Sequence, residues 1–169
     1  FVHRTFQSID AKGFVRALSG LMKAHGSLEK AMVSGWHFPE NPASLEGALT
    51  SFHHAFIEQQ GVENRTRKHV ANPAKGSAAK RLNMWLRWMI RSSKRGVDLG
   101  IWKSISPAVL HIPLDVHTSN VGRKLGLLNR RANDWKAVLE LTASLRAIDS
   151  KDPARLDFAL FGLGAIEDF

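Results

Sequence analysis

The chain has 169 residues, is 44% hydrophobic and carries a formal net charge of +9, so it can bury one real core. It has no cysteine, which excludes disulfides, thiolate metal sites and iron–sulfur clusters. No apolar run approaches the roughly 20 residues of a membrane span, and no signal-peptide pattern is present.

In chain order, helical periodicity and caps recur and no segment alternates convincingly as a strand. Asp10 predicts the cap of a helix running to about Ala24, with Phe14, Leu18, Leu21 and Met22 on one face. His25-Gly26-Ser27 breaks it, and a short helix follows to about Ser34. Asn41-Pro42 and Ser44 start another, with Leu45, Leu49, Phe52 and Phe56 inward and Gly61 at its end. Val62 to Gly76 forms a polar, basic connection with a turn signal at Asn72-Pro73. Ser77 then predicts the cap of the most clearly amphipathic helix. Leu82, Trp85, Leu86, Met89 and Ile90 share one side of it. Lys80, Arg87, Arg91, Lys94 and Arg95 fall within about 50° of a common direction on the other. Gly96 closes it. Asp98, Trp102 and Pro107 lie in the stretch leading to His111-Ile112-Pro113-Leu114. Asp115 predicts the cap of a helix reaching Leu125, and Asp134 the cap of one burying Val138, Leu141, Leu145 and Ile148. Asp152-Pro153 opens the last helix, which runs through Phe158-Ala159-Leu160-Phe161. The expectation is an all-α, compact multi-helix bundle forming one domain over residues 1–169. It is expected to be monomeric, cytoplasmic and without a membrane partner. Because the chain begins at Phe1, upstream residues of a longer protein are expected.

The charge is unevenly placed. Between Val62 and Lys136 stand 16 of the 24 Lys/Arg but 4 of the 15 Asp/Glu, so the remainder is slightly acidic. Clustered Lys/Arg gains affinity for a row of phosphates by releasing their counterions, which points to nucleic acid. A solvated surface that aids solubility is the alternative.

Two residues in this region can carry chemistry. Lys80 is placed in the first turn of its helix, where the helix dipole and neighbouring Lys75, Arg81 and Arg87 disfavour an ammonium. A neutral amine is what attack on an electrophilic carbon requires. Position alone also allows a plain phosphate contact. Asp115 starts a helix, which capping alone explains; its carboxylate could also orient a nucleophile or stabilise positive charge. His117 lies a short way into the same helix, and no third ligand at useful spacing makes Asp115 and His117 a metal site. His53 and His54 are expected to be structural. Trp85 is expected in the core, with Trp88 as the stacking candidate for an extruded base. Arg87 and Arg91 can pair with Asp98 instead of meeting phosphate.

Taken together, Ser77-Ala78-Ala79-Lys80-Arg81 opening an apolar helix and Pro113-Leu114-Asp115-Val116-His117 resemble the helix-hairpin-helix DNA glycosylase superfamily. The strings Arg81–Met89, Asp98–Trp102 and Asp152-Pro153 through Gly164 look like an uncharacterised bacterial family related to that fold, as does Phe1–Phe6. The separation of 35 residues between Lys80 and Asp115 is more similar to the archaeal 8-oxoguanine glycosylase branch. The resemblance implies a Schiff-base lysine at Lys80 and a catalytic aspartate at Asp115. It implies a DNA repair glycosylase and β-lyase acting on an oxidised base such as 8-oxoguanine, with no metal or organic cofactor. The alternative is a non-catalytic nucleic-acid-binding module on the same scaffold. Lys75, Gly76, Ser77, Arg81, Arg87, His117 and Arg123 are the expected nucleic-acid contacts. The turn Ala74-Lys75-Gly76-Ser77 has one glycine where the superfamily's hairpin has two, although backbone N–H groups at Gly76 and Ser77 could still meet a phosphate.

Overall fold

Helix signals dominate the sequence, and helices dominate the fold. The computed structural model describes residues 2–36, 44–167 and 169, and they form an all-α fold with one small hairpin among them. The chain divides into two compact units, one of residues 1–41 and 46–72 and one of residues 42–45 and 73–169. No helix of the described residues is long and apolar enough to cross a membrane.

The first unit opens on an antiparallel hairpin, β1 (Val2–His3) and β2 (Phe6–Gln7), with Val2 opposite Gln7. Four or so residues are too few for an alternating pattern to register, so the sequence gives no warning of it. α1 (Ser8–His25) starts earlier than expected because Gln7, not Asp10, is its N-cap. Asp10 sits one turn in and accepts the Gln7 N–H at 2.8 Å, closing a capping box. Its fully buried carboxylate also takes Thr66 Oγ1 at 2.7 Å and Arg65 Nη1 at 2.8 Å, tying α1 to a 3-10 turn at Asn64–His69. That turn lies inside the stretch expected to be a polar, basic connection. Gly26, at φ 81°, ends α1 in the left-handed conformation that glycine tolerates.

α2 (Leu28–Val33) and α3 (Glu46–Ile57) complete this unit. The Asn41-Pro42 start signal lies outside the described residues. Leu21, Met32, Leu49, Phe52 and Phe56 are buried, and Phe14 bridges Phe6 and Phe56 edge-on. Met22, expected inward, is half exposed. His53 is buried, with Nδ1 2.9 Å from the Val70 carbonyl, a structural role as expected.

The second unit holds α4 (Lys80–Ile90), α5 (Val116–Lys124), α6 (Trp135–Ile148) and α7 (Asp157–Ala165). Asp115 and Asp134 cap α5 and α6 as expected, accepting from Thr118 N at 2.8 Å and Ala137 N at 3.1 Å. α4 does not start at Ser77. Its N-cap is Ala79, held at φ 47°, and Ser77 Oγ accepts the Ala79 N–H at 3.3 Å in a local turn. The expected last helix is a 3-10 turn at Pro153–Leu156 followed by α7. α7 packs closely on α5 because Gly164 carries no side chain: a Cβ there would lie 2.9 Å from Val121 Cγ2. Leu86, Leu110, Ile112, Leu128, Leu141 and Leu145 fill the core. Ile148, expected among them, is 64% exposed at the end of α6.

Candidate active site

The first residue of α4 and the cap of α5 meet. Lys80 Nζ lies 3.1 Å from Asp115 Oδ2, while Asp115 Oδ1 accepts the Thr118 N–H. The carboxylate thus splits its oxygens, one for the helix and one for the amine. Burial alone would raise the Asp115 carboxyl, but the Thr118 N–H and the Lys80 ammonium outweigh it and hold the group below the usual carboxylate range. The Lys80 side chain remains 45% exposed, so an incoming molecule can reach it.

Behind this pair lies a second acid that the sequence did not single out. Asp157, first residue of α7, is buried, and burial pushes its carboxyl up to about 6. Arg87 and Lys80 oppose that rise and the nearby Asp115 charge adds to it. Arg87 Nη1 donates to Asp157 Oδ2 at 2.5 Å, with the Phe158 ring 4.1 Å from the guanidinium carbon. Asp157 opens the apolar run of residues 158–166, a place that periodicity alone does not mark as a buried charge.

Arg87 is 1% exposed, so the expectation that it meets nucleic acid is corrected: it has no surface to offer a phosphate. Its Nε lies 3.5 Å from Asp98 Oδ1, and Arg91 donates to Asp98 Oδ2 at 2.5 Å and, through Nε, to both Asp152 oxygens. The pairing with Asp98 weighed from the sequence is therefore present. Part of the basic stripe on α4 turns inward, because a charge among apolar groups is tolerated only when paired and hydrogen-bonded.

The other expected contacts divide. Lys75, Gly76 and Arg81 are exposed and Ser77 is half-buried, all near the start of α4. The Gly76 N–H, however, donates to the Pro73 carbonyl at 2.7 Å and so is not presented to a phosphate, while its carbonyl accepts the Trp135 N–H at 3.0 Å. Trp88 is 43% exposed, and Trp85 packs edge-on against Trp102 at 5.0 Å between ring centres. His117, an expected nucleic-acid contact, is engaged within its own unit. Its Nδ1 lies 2.9 Å from the Gly164 carbonyl, with Phe161 edge-on to the ring. Arg123 is spent on its own unit, donating to the carbonyls of Arg130 and Arg131 and to Asn133 Oδ1. Among the described residues, no three His, Cys, Asp or Glu side chains cluster as metal ligands would.

The family model described as "Protein of unknown function (DUF2400)" matches residues 1–166. The chain belongs to the DUF2400 family. No curated protein and no solved structure matches it. In this DUF2400 chain the match spans both units, and it contains Lys80, Asp115 and Asp157 alike.

Proposed function

We propose that the chain is a lysine-dependent nucleic-acid glycosylase with β-lyase ability, acting on an oxidised base of the 8-oxoguanine kind in DNA. The observation that carries the reading is the 3.1 Å contact between Lys80 and Asp115, residues of two different helices, with the amine end open to solvent. Covalent attack at a sugar carbon needs a lysine that solvent and substrate can reach and that reacts as the neutral amine, and an ionised carboxylate beside it can offset the charge that develops on the sugar. The excess of Lys/Arg between Val62 and Lys136 supports a polyanionic substrate.

In this reading the target base leaves the stack, at a cost of a few kcal/mol. The Lys80 ammonium gives up a proton to solvent, and the freed nitrogen forms a bond to C1′. The C1′–base bond breaks, and the base leaves with that electron pair and takes the proton. Asp115, ionised, offsets the positive charge that builds on the sugar. Opening of the sugar ring converts the amine adduct to an imine, with the ring oxygen taking a proton. Loss of a C2′ proton then expels the 3′ phosphate. No oxidant, reductant or metal enters the balance.

Borohydride trapping tests it. Wild type and Lys80→Gln are mixed with single- and double-stranded oligonucleotides carrying 8-oxoguanine, an abasic site or no lesion. The expected result is a lesion-dependent covalent adduct with wild type and none with Lys80→Gln. Salt-sensitive binding with no adduct on any substrate would overturn the enzyme reading and leave a non-catalytic binding module on the same scaffold.

A further inference from the structure

Outside the basic middle of the sequence, the first unit carries a row of cations of its own. On α1, residues 12, 16, 19 and 23 fall within about 60° of one another around the helix axis. They are Lys12, Arg16, Ser19 and Lys23, all exposed. Among the described residues none of the three cations has an acidic or hydrogen-bonding partner. Beside this row opens a cleft of about 660 Å³, lined by Arg16, Ser19, Lys23 and, from the turn after α3, Gln59 and Gln60. Among the described residues no acidic side chain lines it.

Two glycines shape the cleft. A Cβ at Gly20 would lie 2.1 Å from Gln59 Oε1, so the bare backbone lets the Gln59 amide lie against α1 as a floor. Gln59 Nε2 is anchored on the Ala55 carbonyl at 3.0 Å. Gly61 stands at φ 83°, and a Cβ there would sit 3.0 Å from Arg16 Cδ and 3.1 Å from Arg16 Nη1. The Arg16 side chain is therefore laid over the turn instead of swinging in solvent. A seated guanidinium, an ammonium two turns away, a hydroxyl between them and primary amides opposite are all groups that a phosphate oxygen can accept from. Lys12 to Lys23 spans about 16 Å of helix, a length over which one duplex strand presents about five phosphates.

We propose that the α1 cleft is a second phosphate-binding surface, which holds the backbone of a nucleic acid strand through Arg16 and Lys23 with Lys12 extending the row. It rests on the reading that the partner is nucleic acid, and not on the chemistry of Lys80.

The test is the salt dependence of oligonucleotide binding, followed by fluorescence anisotropy for the wild type and for Arg16→Gln/Lys23→Gln. Losing two phosphate contacts should flatten the slope of log K against log salt by about 1.8 on duplex, or about 1.4 on a single strand. The charge-preserving pair Arg16→Lys/Lys23→Arg should keep the wild-type slope, and circular dichroism should show all three proteins folded. An unchanged slope in the Gln pair overturns the proposal. Inorganic pyrophosphate forms the second arm: if it binds the wild type and is lost in the Gln pair while the oligonucleotide slope stays put, the cleft serves a free phosphate and the strand-holding role fails. Wild type that binds no oligonucleotide would sink this proposal together with the nucleic-acid reading. Absence of any borohydride adduct with wild type, while the wild-type and Gln-pair slopes differ as expected, would sink the glycosylase chemistry alone.

Discussion

Asp157 and Arg87 form the most consequential contact of the second unit, since each would be a buried charge without the other. Removing one partner of such a pair leaves an uncompensated charge and costs about 3 to 5 kcal/mol, whereas replacing both by apolar groups is often near neutral. Arg87→Met should therefore lower stability by about 3 kcal/mol in urea titrations at pH 8, where the Asp157 carboxylate is left without its cation, with Arg87→Met/Asp157→Leu regaining most of it. A loss under 1 kcal/mol would mean that the Asp157 carboxylate does not depend on this guanidinium for its compensation. Lys80 stands at the other extreme. Its ion pair with Asp115 is half exposed at the amine, and exposed pairs contribute about 0 to 1 kcal/mol. Lys80→Gln should thus shift the urea midpoint hardly at all while abolishing adduct formation, so that a loss of trapping cannot be ascribed to unfolding.

At the scale of the helix, Asp115 serves two masters, and substitutions can separate them. Asn caps a helix about as well as Asp but carries no charge. Asp115→Asn should leave thermal stability close to wild type and remove the adduct; Asp115→Ala should remove the adduct and also cost about 1 kcal/mol through the lost bond to Thr118 N–H. Equal adduct formation by wild type and Asp115→Asn would confine this carboxylate to capping. The caps also show where sequence is legible. Asp115 and Asp134 could be read because a short acid before an apolar period has one favourable use there. Ser77 misled because the choice between Ser77 and Ala79 is made by a backbone angle, φ 47° at Ala79, that the sequence does not advertise and that costs an L-residue about 1 to 2 kcal/mol. Asp10 misled because a capping box places its acid one turn inside the helix, while the cap itself is Gln7. Lys80 and Asp115 were legible as a pair through motif resemblance. Asp157 was not, since periodicity registers apolar faces and is blind to a single buried charge. Ile148 and Met22 were placed inward by the same periodicity, which continues to the ends of helices where no neighbour remains to cover them.

For the molecule as a whole, pH acts through two buried groups of opposite sense. His111 accepts the Leu45 N–H on Nε2 at 3.2 Å and lies edge-on to Trp135, so the folded ring is neutral. Burial, with the charge of Arg146 adding to it, lowers its pKa to about 3. The unfolded chain therefore takes up a proton below about 6.5 that the fold refuses, and the stability present above that pH is lost as pH falls toward 3. Asp157 has the reverse sign. With its folded pKa raised to about 6 from 3.8, the fold takes up the proton first, and stability rises as pH falls through this range. Between pH 6 and 5 each contributes a slope approaching about 1.4 kcal/mol per pH unit, and the two oppose one another. Wild-type stability should therefore be nearly level across that window as far as these groups decide it. His111→Gln removes one side of the balance and should gain about 1 kcal/mol, relative to wild type, on going from pH 6 to pH 5. Asp157→Asn removes the other and should lose a similar amount over the same step. Urea titrations of the three proteins at both pH values measure this directly. Parallel behaviour of wild type and both variants would show that neither group titrates in the fold as its burial requires.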